Sequence, residues 1–477
     1  MRLEHWVVLA YLAACIGIGV LVSRKVLTSR DEYWVAGRRV GTWVNALAIM
    51  ATLASGGSII GVMGLAYGRG IPYTLALFAG AVVGFPLASI LVARPLRTFG
   101  RFTITDFLAW RYPHPLMRRL VPVVIVVSFT VYIVAQLKAA GITAEVLLGI
   151  PYREAVTVST LVFVVYVSLG GMLAITWTDV VQGALMLCVV LGTALLLPGG
   201  VAHGAAFREA TALAPELGRV AQHPLMSYLG VFVLWAAAIP VIPHVVMRVF
   251  TARDVRGARL SLNLAMVLYS VMILAAVLVV VPRGRLDFPG LADPDTVFLR
   301  VMESGFPPLV RGLAVAAVIA AVMSTTDALL LACSSAVAHD LLGGWIERRL
   351  SPRAGGWVTV GVAWAIGLTA MVLAWSPPRL ITEFYSAAIG LLSAGLLVPT
   401  LAGLWWRGAR HAGGVAALAT GLAVYLAVEL TPGAPPFSAV LFALPASALA
   451  MVVASRRGRA PGEPDLADVA ALHEERA

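Results

Sequence analysis

Apolar residues fill most of this 477-residue chain in long runs, parted by short polar loops rich in arginine. Runs of about 18 residues or more match a helix crossing the hydrocarbon layer, not the alternating strands of an outer-membrane barrel. The pattern predicts about thirteen transmembrane helices. They fall near 3–22, 43–68, 72–96, 119–147, 153–171, 177–199, 225–249, 259–282, 308–342, 356–376, 380–406, 411–431 and 437–455. The first run lacks a basic n-region and enters a basic loop, so it reads as a retained helix rather than a cleaved signal.

Two of these runs carry helix breakers at mid-depth. The second holds Ala54, Ser55, Gly56, Gly57 and Ser58; the seventh holds Pro240 and Pro243 within WAAAIPVIPHVVMR. An interior Pro costs a helix about 3 kcal/mol and a Gly about 1, and in lipid the freed backbone groups need protein or water partners. Singly, each break reads as a kink. Their spacing adds more: the second and seventh spans lie five apart, and a repeat of an odd number of crossings inverts the second unit relative to the first. This is the inverted-repeat plan of many secondary transporters, with substrate held at the unwound segments. The repeats would cover about 43–199 and 225–406. One helix before them and two after are then peripheral, within a single transmembrane domain over 1–459. The remaining 460–477 is a polar, cytoplasmic tail, too short for a soluble module. The loops at 200–224 and 283–307 have room for short interfacial helices or gates.

The ninth run contains Ser324, Thr325, Thr326 and Asp327. A carboxylate near the bilayer centre costs about 2.5–3.5 kcal/mol on insertion scales unless it meets water, an ion or a partner charge. Hydroxyls beside it are hard-oxygen ligands suited to a small cation, so the run predicts an ion site. The bland alternative for Ser324 is a hydroxyl bonded to its own helix.

Composition agrees with a membrane protein: 60% of residues are hydrophobic, 12% charged, and the mean hydropathy is +0.90. The net charge of +11 comes mostly from loop arginines that set topology, and does not call for nucleic acid as partner. An outside N-terminus puts Arg24, Lys25, Arg30, Arg38 and Arg39 in the cytoplasm. Arg94, Arg97, Arg101, Arg111, Arg118 and Arg119 join them, and the C-terminus with Arg456, Arg457 and Arg459 ends on the same side of the plasma membrane. Cys15, Cys188 and Cys333 lie in apolar runs without metal-ligand spacing and read as packing residues. No His-Glu-x-x-His, Gly-x-Ser-x-Gly or P-loop pattern points to an enzyme, and no cofactor motif is found. A channel would need a repeated ring of charge, whereas Asp179 and Asp327 occur once each.

Lys138 stands alone in an apolar run, VAQLKAAG. It reads as a snorkelling residue, as the partner of Asp327 or Asp179, or as the point charge for an anionic substrate; the internal pair is preferred, because opposite buried charges both need partners. His244 reads as a core histidine and Arg248 as a topology or interfacial charge. Gln136, Trp235, Tyr385 and Ser386 are candidates to line a cavity, with packing as the alternative for each.

Four segments resemble the sodium:solute symporter family across most of the chain. They are DEYWVAGRRVGTWVNALAIMATLASGGSIIGVMGLAYGRG (31–70), YVSLGGMLAITWTDVVQG (166–183), IPHVVMRVFTARDVRGAR (242–259) and AAVMSTTDALLLACSSAVAHDL (320–341). The resemblance implies the leucine-transporter fold with an added N-terminal helix, and sodium as coupling ion. It implies a sodium site of backbone carbonyls at Ala51, Ala54 and Ala321 with the hydroxyls of Ser324 and Thr325. Asp179 matches an acidic position linked to sodium coupling. The second sodium site of some members uses hydroxyls where this chain has Asp327 and Ala328, and proline-type members have an aspartate where it has Leu53. The substrate would sit near Ser55, Gly56, Gly57, Ser58 and Pro240. GIPYREAV (149–156) and IPHVVMR favour a carrier of pantothenate or a short monocarboxylate, with proline as the close alternative. Proton coupling remains the rival to sodium.

Overall fold

The computed structural model describes residues 2–26, 35–197, 204–376, 380–458 and 463–473. Arg30, Arg459 and residues 460–462 and 474–477 of the expected tail lie outside them. The described structure is helical, with one isolated bridge between Val40 and Ala252. Ten of its helices are long and apolar enough to cross a membrane, or eleven when Thr42–Leu53 (α2) and Gly57–Arg69 (α3) are counted as one bent span. Before them comes Leu3–Val26 (α1).

Next come Ile71–Phe99 (α4) and the short Ile104–Arg111 (α5), whose start is fixed by a reciprocal cap between Thr103 and Asp106. Pro115–Leu148 (α6) opens on a proline, which suits a first turn because its missing N–H has no helical partner there. Tyr152–Leu196 (α7) runs 45 residues, about 67 Å if straight at 1.5 Å per residue. That is twice one crossing, and the chain turns back within it, since Tyr166 donates to the Thr178 hydroxyl twelve residues on; the element holds both runs expected at 153–171 and 177–199. The seventh expected span is broken into Leu225–Ala238 (α8) and Pro243–Thr251 (α9). Val255–Asp287 (α10), Pro308–Leu341 (α11), Ala354–Ala374 (α12), Ile381–Trp405 (α13), His411–Glu429 (α14) and Ala439–Arg457 (α15) follow.

α11 is the axis of the bundle. Of its most apolar stretch 94% is buried, against 33–67% for the other long spans. Neighbours on every side explain why this helix can carry Ser324, Thr325, Thr326 and Asp327 away from lipid. The outer surfaces are apolar in turn, with Val123, Val127, Val158, Val165, Leu195 and Leu196 exposed as a lipid-facing surface requires. The C-terminal tail is not merely polar: Glu463–Ala471 is helical, and His473 contacts the Leu404 carbonyl at 2.8 Å with its ring against Trp405.

Candidate functional site

The bend between α2 and α3 is 59° and comes from three rerouted amides. In an unbroken helix the Ser55 amide would bond the Ala51 carbonyl, and the Gly56 amide that of Thr52. Instead Ser55 N–H donates to Leu53 O at 2.8 Å, and Gly56 N–H to the Gln136 side-chain oxygen at 2.9 Å. Ser58 N–H turns back to Ser55 at 2.8 Å. The carbonyls thus released meet α11. Ser324 donates its hydroxyl proton to Ala51 O at 2.9 Å and to Ala321 O at 3.2 Å, while Thr325 donates to Thr52 O at 2.9 Å. Both hydroxyls therefore point at the Gly-Gly bend and away from lipid. Four of the five positions inferred by resemblance converge here. Ala54 lies at the bend as the last turn of α2, with Thr52 as the carbonyl nearest Thr325.

Beside this junction runs a narrow cavity lined by Leu53, Ser58, Phe85, Trp235, Tyr269 and Tyr385. Tyr132 stacks on Tyr385 with ring centroids 4.7 Å apart, and Trp235 meets Tyr385 edge-on at 5.8 Å. Tyr132 donates to Ser55 Oγ at 3.3 Å, and the Ser58 and Tyr269 hydroxyls are 3.1 Å apart. The glycine at 57 is needed for this approach, since a Cβ there would fall 2.4 Å from Tyr385 Cε1. Gln136 Nε2, Trp235 Nε1 and Ser386 Oγ are buried without a hydrogen-bond partner among the described residues. Of the predicted cavity residues, Ser58, Trp235 and Tyr385 face the space. Ser55, Gly56, Gly57 and Gln136 lie in or against the bend behind it and are not among its lining residues, and Pro240 sits at the second break, between α8 and α9. Ser386 is buried nearby on α13 and is not among the lining residues. Tyr132 and Tyr269 were not expected; tyrosines inside apolar runs carry no positional signal without the fold.

The charged residues pair differently from the sequence reading. Lys138 does not pair with Asp327 or Asp179. Its ammonium lies 2.8 Å from Asp295 Oδ2 and 3.5 Å from Asp293 Oδ2, in the loop before α11. Depth explains the difference: Asp327 is nineteen residues into α11 from Pro308, about 28 Å along the helix from that loop. Lys138 is also buried, 3% exposed, and so does not snorkel. Asp295 is wedged into the bundle. It accepts from the Ile381 amide at 3.0 Å and presses on Gly64, where a Cβ would lie 2.2 Å from Asp295 Oδ1. Burial pushes this loop carboxyl up to about 6, although the Lys138 ammonium pulls the other way.

Arg248 is likewise not interfacial. It is fully buried and ion-pairs with Asp179; it also donates to the Thr176 hydroxyl at 2.7 Å and the Thr52 hydroxyl at 3.4 Å. Thr52 thus links this charge pair to the hydroxyl junction, giving its carbonyl to Thr325 and its hydroxyl proton to Ala48 O at 2.8 Å. Asp327, one turn beyond Ser324, is within electrostatic reach of Asp179 and Arg248. Neither of its carboxylate oxygens has a hydrogen-bond partner among the described residues. His244 is buried against Phe129 and Tyr132, and both its nitrogens lack partners too.

Two broken helices facing across a buried cavity, with an oxygen junction between the first break and a central helix, define a secondary transporter of the broken-helix type. The chain belongs to the sodium:solute symporter family, whose model matches residues 33–421. It is 27% identical to the osmoregulated proline transporter OpuE of Bacillus subtilis over 93% of this chain and 92% of that protein. It is 28% identical to the high-affinity proline transporter PutP of the same organism, over 84% and 87%. The fold is shared with a Na+-coupled sialic acid symporter solved in a substrate-bound outward-open state. There the TM-score is 0.81 at 18% identity, over 96% of this chain and 99% of that one. A weaker likeness, TM-score 0.57 at 16% identity over 93% of this chain, links it to MHP1, a nucleobase-cation-symport-1 family transporter.

Proposed function

We propose that this protein imports a small amino acid of the proline type together with sodium, by alternating access. The observation that carries the reading is the junction of Ser324 and Thr325 with the carbonyls freed at the α2–α3 break. These are hard, uncharged oxygens already gathered within hydrogen-bonding distance, and the break gives them no competing helical partner. Ala51, Ala54, Ala321, Ser324 and Thr325 would hold the ion, with Asp179 and Asp327 as the nearby acids that couple its charge to the helices. One charge crossing 100 mV supplies about 2.3 kcal/mol, enough to concentrate a neutral solute roughly fifty-fold.

The substrate class follows from the curated relatives, which are named as proline transporters, and from the cavity. Leu53 offers no carboxylate to a substrate amine, but Trp235, Tyr385 and Tyr269 line the cavity with aromatic rings that attract an ammonium and pack a saturated ring, Tyr385 being backed by Tyr132. The substrate carboxylate would lie near Ser55 to Ser58, where the N-terminal start of α3 favours negative charge. A monocarboxylate or pantothenate-like acid lacks the cationic group that this aromatic wall suits. The wider architecture belongs to the same proposal: thirteen crossings, inverted repeats over about 43–199 and 225–406, an outside N-terminus and a cytoplasmic C-terminus. The test is uptake of radiolabelled proline into proteoliposomes with and without a sodium gradient, challenged by unlabelled amino acids, lactate and pantothenate. Sodium-stimulated proline uptake resisted only by amino acids supports the reading. Competition by the hydroxyl-acids alone, or uptake driven by a pH gradient in sodium-free buffer, overturns it.

A further inference from the structure

Away from the transport site, three side chains with metal-ligating atoms converge where the last turn of α11 meets the start of α5. One ligand atom from each of Asp106, His339 and Asp340 lies within 4.8 Å of the others. His339 Nε2 is 3.3 Å from both carboxylate oxygens of Asp106 and 3.9 Å from Asp340 Oδ1. Corners of a tetrahedron whose ligands stand 2.0–2.1 Å from a central zinc-type ion are about 3.3–3.4 Å apart. The His339–Asp106 spacing matches that edge, while Asp340 stands farther out and would have to draw in to share an ion.

Hydrogen bonds account for only part of this cluster. Thr103 donates to Asp340 Oδ1 at 3.2 Å and the Thr105 hydroxyl stands beside the same carboxyl, which is 3% exposed and whose Oδ2 meets no donor in full hydrogen-bond geometry among the described residues. A buried carboxylate oxygen without a donor costs free energy unless a cation or proton meets it. Two carboxylates beside one imidazole attract a cation or a proton. The supporting groups also resemble those that orient metal ligands. The amides of Phe102 and Thr103 each donate to Asp106 Oδ2 at 3.2 Å, and the Phe102 ring stands edge-on to His339 at 5.6 Å.

We propose that Asp106, His339 and Asp340 bind a divalent transition metal of the zinc type, with water completing the coordination. The ion would clamp the short helix α5 to the end of α11, the helix that also carries Ser324 and Thr325. Metal binding at this place does not depend on the transport reading.

Cobalt tests it directly, because tetrahedral Co2+ absorbs strongly in the visible range. Tag-free, full-length protein in detergent, stripped with chelator and dialysed, is titrated with Co2+ and then challenged with Zn2+. Wild type should take up one equivalent with the tetrahedral band, and zinc should displace it. Asp340→Asn and His339→Gln should each weaken binding by on the order of 100-fold, while His411→Ala, an exposed histidine elsewhere, leaves it unchanged. Thermal unfolding separates a ligand from a merely structural residue. Zinc should raise the melting temperature of wild type and not that of Asp340→Asn, and without metal the amide variant should melt no lower than wild type. The absence of a cobalt band in wild type up to millimolar metal, or a band that survives both substitutions, overturns the proposal.

Discussion

Replacing Lys138 with Met removes one half of a buried ion pair and leaves the other half in place. The ammonium sits 2.8 Å from Asp295 Oδ2, with side chains 3% and 0% exposed. At an effective dielectric near 20 the gross attraction is about 6 kcal/mol. Most of that offsets the desolvation of the two ions, so the pair adds little net stability over an apolar substitute. Breaking it is another matter: a buried charge left without its partner costs about 3–5 kcal/mol. In Lys138→Met the Asp295 carboxylate keeps only the Ile381 amide, and its Oδ1 still has no partner. The pH dependence follows from linkage. Burial first, opposed by Lys138, raises the folded Asp295 carboxyl from 3.8 to about 6. The folded state therefore binds the proton more tightly than the unfolded one. Asp295 contributes stability that is fully present below about pH 4 and lost as pH rises through about 6. Without Lys138 the folded value rises further, so the variant gains more from acidification than wild type does. Thermal unfolding in detergent should show Lys138→Met destabilised by about 3–5 kcal/mol at pH 7.5 and by clearly less at pH 5.5. Adding Asp295→Asn should recover most of the loss at pH 7.5. A Lys138→Met protein as stable as wild type, or a deficit that neither acid nor the second substitution relieves, would refute the reasoning.

Other perturbations probe the site itself. Ser324→Ala with Thr325→Ala removes two ligands of the proposed sodium site and should raise the sodium concentration for half-maximal uptake at least about tenfold, with expression unchanged; an unaltered sodium dependence counts against the site. Asp179→Asn leaves Arg248 buried without its anion at a cost of about 3–5 kcal/mol. Arg248→Met in the same chain should restore the melting temperature but not sodium-coupled uptake, and recovery of both would make the pair purely structural. Gly57→Ala places a Cβ 2.4 Å from Tyr385 Cε1, so substrate affinity should fall, and Tyr385→Leu should restore part of the lost space. Wild-type affinity in the single variant would mean that the wall yields without cost.

How far the sequence reached depended on whether the signal was local. The two breaks were legible because Gly-Gly and paired prolines act on their own backbone. Ser324 and Thr325 were legible because hydroxyls beside a carboxylate are rare at mid-span. The charged partners were not. Lys138 looked inward to the nearest membrane acids, yet its partners are Asp293 and Asp295, which in sequence resemble ordinary loop acids. Arg248 was assigned to an interface because one arginine near a helix end looks like any other. The rule that opposite buried charges seek each other holds for Lys138, with Asp295 and not a mid-span acid as its partner, and for Arg248 with Asp179. What misled was depth: hydropathy places a residue along its own helix and says nothing of how two helices are offset. The aromatic wall was hidden for a related reason, since Tyr132, Tyr269 and Tyr385 come from three separate spans.

Two buried ion pairs hold the helices around the hydroxyl junction. Lys138 and Asp295 tie α6 to the loop before α11, with Gly64 of α3 and the start of α13 pressed against them. Arg248 and Asp179 tie α9 to α7 and, through Thr52, to α2. Apolar contacts at these places would resist opening in proportion to the area they bury. A buried ion pair behaves differently, because separating it into water returns the hydration that burial removed, so the closed and open states lie close in free energy. That is the property a carrier needs where its helices must part, so that ion binding at the proposed site can tip the balance. It also predicts an asymmetry between substitutions at the two latches. Replacing a whole pair by well-packed apolar residues, as in Lys138→Met with Asp295→Leu, should stabilise the fold and slow transport together. Faster uptake in that stabilised double variant would show that the pair does not govern opening.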